Sequence, residues 1–168
     1  RYALDVFRPD GGVLRIERAV EPVAVDGDEK ANAEERATHN FRRMLPDWKW
    51  NGPGIPGTKP PYRAILTGRD GRIYVQLWQP GERIPEEEIE TSSDPGAAPP
   101  NRWREPVVFD VFEEDGTYLG QIRPPARFQA SPQPVFDRER VWAVVTDEMD
   151  VEYLTRFRLG DEVGSGRD

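Results

Sequence analysis

Short apolar runs broken by turn residues dominate the chain. Leu4-Asp5-Val6-Phe7 leads through Pro9-Asp10-Gly11-Gly12 into Val13-Leu14-Arg15-Ile16. The pattern returns as Phe109-Asp110-Val111-Phe112, then Glu113-Glu114-Asp115-Gly116, then Tyr118-Leu119-Gly120-Gln121-Ile122. A related unit runs from Ala64-Ile65-Leu66-Thr67 across Asp70-Gly71 to Ile73-Tyr74-Val75. Strand, Asp-Gly turn, strand is the grammar of a β-hairpin, with glycine supplying positive φ. A fourth hairpin is expected from 141–146 and 151–159 across Asp147-Glu148-Met149-Asp150, and a short strand at Val135-Phe136 before the turn 137–140. Repetition of one supersecondary unit predicts a repeated, all-β, antiparallel architecture.

One stretch breaks the period of two. Between residues 28 and 44, Ala31, Ala33, Ala37, Phe41 and Met44 suit a helix, with Asp28 as its expected N-cap and Pro46 beyond its end. Residues 47–61 read as a loop rich in glycine, proline and tryptophan. Residues 80–100 read as an acidic, Pro/Gly-rich surface excursion, and 161–168 as a polar tail.

Composition agrees with short strands. Seventeen prolines and fifteen glycines in 168 residues exclude a long-helix protein. A net charge of −8 argues against a phosphate-tracking surface, so no nucleic-acid partner is expected. No apolar run approaches the roughly 20 residues that span a bilayer. The absence of cysteine excludes disulfides, thiol catalysis and Cys-ligated zinc.

The outer-hairpin pattern at 109–120, the inner-hairpin pattern at 62–75, and the end segment 141–159 resemble bacterial six-bladed β-propellers of the NHL-like kind. The resemblance covers most of residues 2–159, with the helix and the acidic loop as insertions. It implies that 2–18 form the outer half of one blade, 62–122 a complete blade with a long middle loop, and 128–159 most of a third. A closed propeller needs at least four blades of about 40–50 residues each. The chain is therefore expected to be a segment, with the missing blades lying upstream or supplied by another copy. The initial Arg1 is read the same way, as a processed or truncated start. Open sheet edges would invite self-association. The resemblance also implies an extracytoplasmic location.

Candidate chemistry is sparse. His39 is the single histidine and reads as a solvated helix residue. Glu86, Glu87, Glu88 and Glu90 read as a solvated charge run rather than a cation site, since the alternating ligand pattern of a calcium loop is missing. Asp147, Glu148 and Asp150, like Asp10, Asp70 and Asp115, read as turn residues. No phosphate loop, nucleophile elbow or dinucleotide fingerprint is present. No catalytic residue, metal or cofactor is expected. Trp78, Trp103 and Trp142 are expected to pack in or between sheets. Trp48 and Trp50, flanking Lys49 in a loop, suit recognition of a sugar, peptide or cation. Arginines near strand ends (Arg63, Arg69, Arg72, Arg102, Arg104, Arg123 and Arg127) would ring a propeller channel, where Arg63 and Arg72 are the leading candidates to hold an anionic ligand. The first expectation is thus a non-enzymatic module that binds a protein, peptide or carbohydrate. The alternative is part of a propeller hydrolase or lyase whose catalytic or metal-binding residues lie on blades absent from this chain.

Overall fold

The computed structural model describes residues 1–159, so the polar tail expected at 161–168 lies outside the described residues. In chain order the elements are β1 (Tyr2–Phe7), β2 (Val13–Arg18), α1 (Gly27–Met44), β3 (Tyr62–Thr67), β4 (Ile73–Leu77), β5 (Glu82–Arg83), a 3₁₀ turn (Glu86–Glu88), β6 (Trp103–Arg104), β7 (Phe109–Phe112), β8 (Tyr118–Ile122), β9 (Val135–Asp137), β10 (Arg140–Thr146) and β11 (Glu152–Arg158). The protein is mostly small antiparallel sheets with one α-helix. It divides into two compact units. One comprises Arg1–Ala19, Tyr62–Leu77 and the chain from Val107; the other comprises Val20–Pro61 and Trp78–Pro106.

The first unit is built on one repeated turn. In each Asp-Gly hairpin the glycine takes positive φ: 85° at Gly11, 84° at Gly71 and 91° at Gly116. Its N–H donates to the residue three positions back, and the aspartate carboxylate accepts the N–H two positions on. The aspartate fixes the bend, and only glycine enters the left-handed region without strain. The β10–β11 turn repeats this hydrogen bonding with Asp150 at the glycine position, φ 57°.

These hairpins assemble in sequence order. β3-β4-β7-β8 form a four-stranded antiparallel sheet, β9-β10-β11 a three-stranded one, and β1-β2 a two-stranded ribbon. The central strands of the four-stranded sheet, β4 and β7, are buried on both faces. On one, Ile73, Val75 and Phe112 meet Tyr2, Leu4 and Ile16 of the ribbon. On the other, Leu66, Tyr74, Phe109 and Val111 meet Phe128, Phe136, Val141 and Ala143. Strand alternation sends Ile73 and Val75 one way and Tyr74 the other. Tyr74 stacks on Phe136 at 3.9 Å between centroids, and Phe109 meets the same ring edge-on at 5.2 Å. Each fully buried aromatic contributes about 2–3 kcal/mol, so these two interfaces hold the layers together. Trp78, Trp103 and Trp142 are only half-buried, and the core is made instead of Tyr, Phe and β-branched side chains.

The second unit gathers the two inserted stretches. Its helix runs Gly27–Met44, but the cap is Asp26 rather than the expected Asp28. The Asp26 carboxylate accepts the N–H groups of Asp28 and Glu29, which places Asp28 inside the first turn, where its charge still suits the helix dipole. The stretch expected as a plain excursion at 80–100 carries β5 and the 3₁₀ turn, and β5 pairs with β6. It is tied to α1 by buried Asn32, which donates to Pro100 O and accepts from Arg102 N, and by Arg36, which donates to Pro99 O. Lys59 completes the unit. Its ammonium meets Glu29 at 2.6 Å, Glu105 at 2.9 Å and Gln79 O at 3.0 Å, matching its three protons with three acceptors.

Candidate functional site

In the second unit the last turns of α1 and the loop after it gather an aromatic cluster. The Phe41 ring stacks on Trp48 at 4.8 Å and 18°. Trp50 meets Trp48 edge-on at 5.7 Å and 80°. Two bonds hold the loop in this shape: Trp50 Nε1 donates to Pro53 O at 3.1 Å, and Arg42 Nε donates to Trp48 O at 3.1 Å. Leu45 N donates to Phe41 O and Trp48 N to Leu45 O, so the backbone turns tightly off the helix before Pro46 can extend it. The cluster is open to solvent. Phe41 is 43 % exposed, Met44 70 %, Leu45 60 % and Trp50 40 %. Arg42, Arg43, Asp47 and Lys49, in the same stretch of chain, are also exposed. Exposed aromatic and aliphatic groups concentrated at one helix end, with charged neighbours, suit an interaction surface.

The predicted pair Trp48 and Trp50 is thus brought together. What the sequence alone does not show is the contribution of the helix, since Phe41 and Met44 fit its pattern without marking a site and Leu45 lies just past its end. The available signal was the spacing of Phe41, Leu45 and Trp48, which puts apolar groups on one side of a helix end.

Arg63 and Arg72 are not brought together. Arg63 is exposed near the Tyr62 end of the β3–β4 ladder, at a register shift, and Arg72 lies at the turn end. Arg72 lines an open cleft of about 640 Å³ with Asp70, Glu113, Asp137, Arg138, Glu139 and Arg140. Its guanidinium is already engaged: Nε and a terminal nitrogen reach Glu113 Oε1 at 3.1 and 2.9 Å, and Asp70 lies 3.8 Å away. Asp70 does more than bend its own hairpin. Its carboxylate accepts the Tyr74 hydroxyl at 3.3 Å and the Arg138 N–H at 2.8 Å, tying the β3–β4 turn to the β9–β10 turn. The Tyr74 phenol is pushed up to about 12, chiefly by burial and next by the Asp70 charge. The walls of this cleft carry both signs of charge, and of its three arginines Arg72, the expected ligand holder, is spent on structure.

A second charged network was not foreseen. Asp110 is fully buried and pairs with Arg18, while the Tyr118 hydroxyl and Gln121 Nε2 donate to it at 3.2 Å each. Arg18 lies over the Tyr118 ring at 4.0 Å. Burial, reinforced by the Asp110 charge, raises the Tyr2 phenol far above its ordinary range. Asp110 itself is fully buried, while Arg18, Tyr118 and Gln121 reach it from the partly exposed side, so the network anchors β2 to β7 and β8. His39 is half-buried rather than solvated, and its Nε2 is shielded with no hydrogen-bond partner among the described residues. Among the described residues no three His, Asp or Glu side chains converge as metal ligands, and no helix is long and apolar enough to cross a membrane.

Comparison of the chain with family models, with curated proteins and with solved structures found no match in any of the three.

Proposed function

We propose that this protein is a non-enzymatic binding module whose first unit is made of propeller-type blades and whose second unit recognises a peptide through the Phe41–Trp48–Trp50 cluster. The blade reading rests on the four-stranded meander β3-β4-β7-β8, with chain order kept across the sheet and both faces of its central strands covered by neighbouring sheets. Small sheets with two apolar faces need such neighbours to be stable. On this reading β1-β2 is the outer half of one blade and β9-β10-β11 most of the next, as in the NHL-like propellers that the sequence resembles; an extracytoplasmic setting comes with that resemblance.

The observation that carries the binding role is the exposed aromatic and aliphatic patch at the end of α1. A peptide suits it better than a sugar. Sugars stack on a free, flat aromatic face, whereas Phe41 and Trp48 cover each other, and Met44 and Leu45 add flexible aliphatic surface suited to side chains. Arg42, Arg43 and Lys49 outnumber the neighbouring Asp47 and favour an acidic partner. Tryptophan fluorescence titrated with fluorophore-free acidic peptides carrying apolar anchors tests this. Binding is expected to weaken about tenfold or more in Trp50→Ala and to weaken with salt. Equal binding by wild type and Trp50→Ala, or preference for basic peptides, would remove the proposal.

A further inference from the structure

The three-stranded sheet has an open margin of unusual character. β11 pairs with β10 along its whole length, from Thr146↔Glu152 to Arg140↔Arg158. Among the described residues nothing pairs with its other edge. The edge is long and apolar in part: Tyr153 is 50 % exposed and Leu154 77 %. Edge strands left in this state are templates for another strand unless proline, a bulge or charge blocks them; β11 has no proline or bulge, and its three charges, Glu152, Arg156 and Arg158, are of both signs and lie at exposed positions.

The ladder shows which backbone groups are available. Leu159 N donates to Glu139 O, and Asp147 N to Val151 O. Hydrogen-bonded pairs recur every second residue, so the odd-numbered residues of β11 point their N–H and C=O groups at β10. The N–H and C=O groups of Glu152, Leu154, Arg156 and Arg158 therefore point outward.

The side chains say what fits. Laid antiparallel against a copy of itself with Thr155 opposite Thr155, the strand Glu152-Tyr153-Leu154-Thr155-Arg156-Phe157-Arg158 is self-complementary. Glu152 faces Arg158, Tyr153 faces Phe157, Leu154 faces the stem of Arg156, and the two threonines meet at the centre. Opposite charge, aromatic pair and Thr–Thr are the cross-strand combinations that stabilise antiparallel sheets. In this register Leu154 and Arg156 exchange their outward backbone groups, as do Glu152 and Arg158, so the same alignment that matches the side chains also matches the hydrogen bonds. A residue opposite itself is also the condition for an isologous twofold contact.

We infer that β11 is a homodimerisation strand, pairing with β11 of a second copy about a twofold axis at Thr155 to give a continuous six-stranded sheet. This inference stands on β11 alone and does not depend on the peptide site or the blade reading.

Sedimentation equilibrium of the full 168-residue chain, from about 1 µM to about 500 µM, should show growth of a species at twice the 19.2 kDa chain mass. Glu152→Arg sets arginine against Arg158 twice in each dimer and should weaken association about tenfold. Glu152→Arg combined with Arg158→Glu restores the pair with its signs exchanged, and association should return to within about threefold of wild type. Arg156→Pro removes an outward N–H without touching the β10 ladder, so it should abolish the dimer while the circular dichroism spectrum is kept. A monomer across the whole range, or a dimer indifferent to Glu152→Arg, would overturn the inference, and Glu152→Arg decides the matter even if the proline variant fails to fold.

Discussion

At the scale of single residues, three turns of the same design place glycine in the left-handed region and one places aspartate there. Asp150 at φ 57° makes the same hydrogen bonds as Gly11, Gly71 and Gly116, held by Asp147, whose carboxylate accepts the N–H groups of Met149 and Val151. A non-glycine residue in this region costs about 1 kcal/mol, partly offset for aspartate by its local hydrogen-bonding capacity. Asp150→Gly is therefore expected to stabilise the protein by about 0.5–1 kcal/mol, read as a rise in the urea midpoint. The converse change at Gly116 would be costly twice over, since a Cβ there would lie 3.2 Å from the Leu14 side chain as well as forcing a strained φ. The repeat also shows one position put to two uses. Asp5 and Asp110 occupy equivalent places in the two Asp-Val-Phe motifs. Asp5 is exposed and meets Arg15 at 3.4 Å, while Asp110 is buried against Arg18. Sequence repetition predicts the strand in both cases; it does not say which copy a second layer covers.

At the scale of elements, the hairpins depend on contacts near in sequence, whereas the β4–β7 seam and the second unit depend on contacts far apart. Lys59 shows the difference. Burial alone would lower its pKa, but hydrogen bonds to Glu29 and Glu105 outweigh that effect and hold it above its ordinary value. Its side chain is 7 % exposed, so its removal strands two carboxylates that are themselves largely buried. Lys59→Ala is expected to cost about 3 kcal/mol, and a helix-specific probe, amide exchange along α1, should register the loss. An equal loss from Glu105→Gln would contradict the account, since that change keeps a hydrogen-bonding group and removes only one charge. The same contrast decides what the sequence could reveal. All four hairpins, the short strand at Val135, and a helix within one residue of its observed start were legible, because Asp-Gly turns, alternation and caps are local signals. The assembly of 20–61 with 78–106 was not, because Asn32, Lys59 and Arg36 reveal nothing of Pro100, Glu105 or Pro99 until the chain has folded. At the candidate site, Trp48 and Trp50 were legible from their spacing, whereas Arg72 resembled a free cation only because its partner Glu113 lies on another hairpin.

At the scale of the whole molecule, the first unit is a sandwich whose middle sheet has a buried phenol against each face. Tyr74 lies on the side of the three-stranded sheet, and Tyr2 comes from the ribbon on the other. Both have raised pKa values, burial being the larger cause in each. In the unfolded chain a tyrosine releases its proton near pH 10, while folded Tyr74 keeps its own to about 12. Above pH 10 the folded state therefore binds more protons than the unfolded one, and stability must fall as pH rises. The contribution is complete below pH 10 and drains away from there through 12, at about 1.4 kcal/mol per pH unit for each such tyrosine. Lys59, also raised, adds to the decline on the same side. Urea midpoints measured between pH 9 and 12 should thus drop steeply in the wild type and less steeply in Tyr74→Phe, which removes one titrating group, though it also leaves Asp70 without the phenol. Comparison of slopes rather than absolute midpoints separates the two effects, because the lost hydrogen bond shifts every point alike. Equal slopes would mean that Tyr74 ionises as readily in the folded sheet as outside it, and that the middle layer admits water where its packing says it does not.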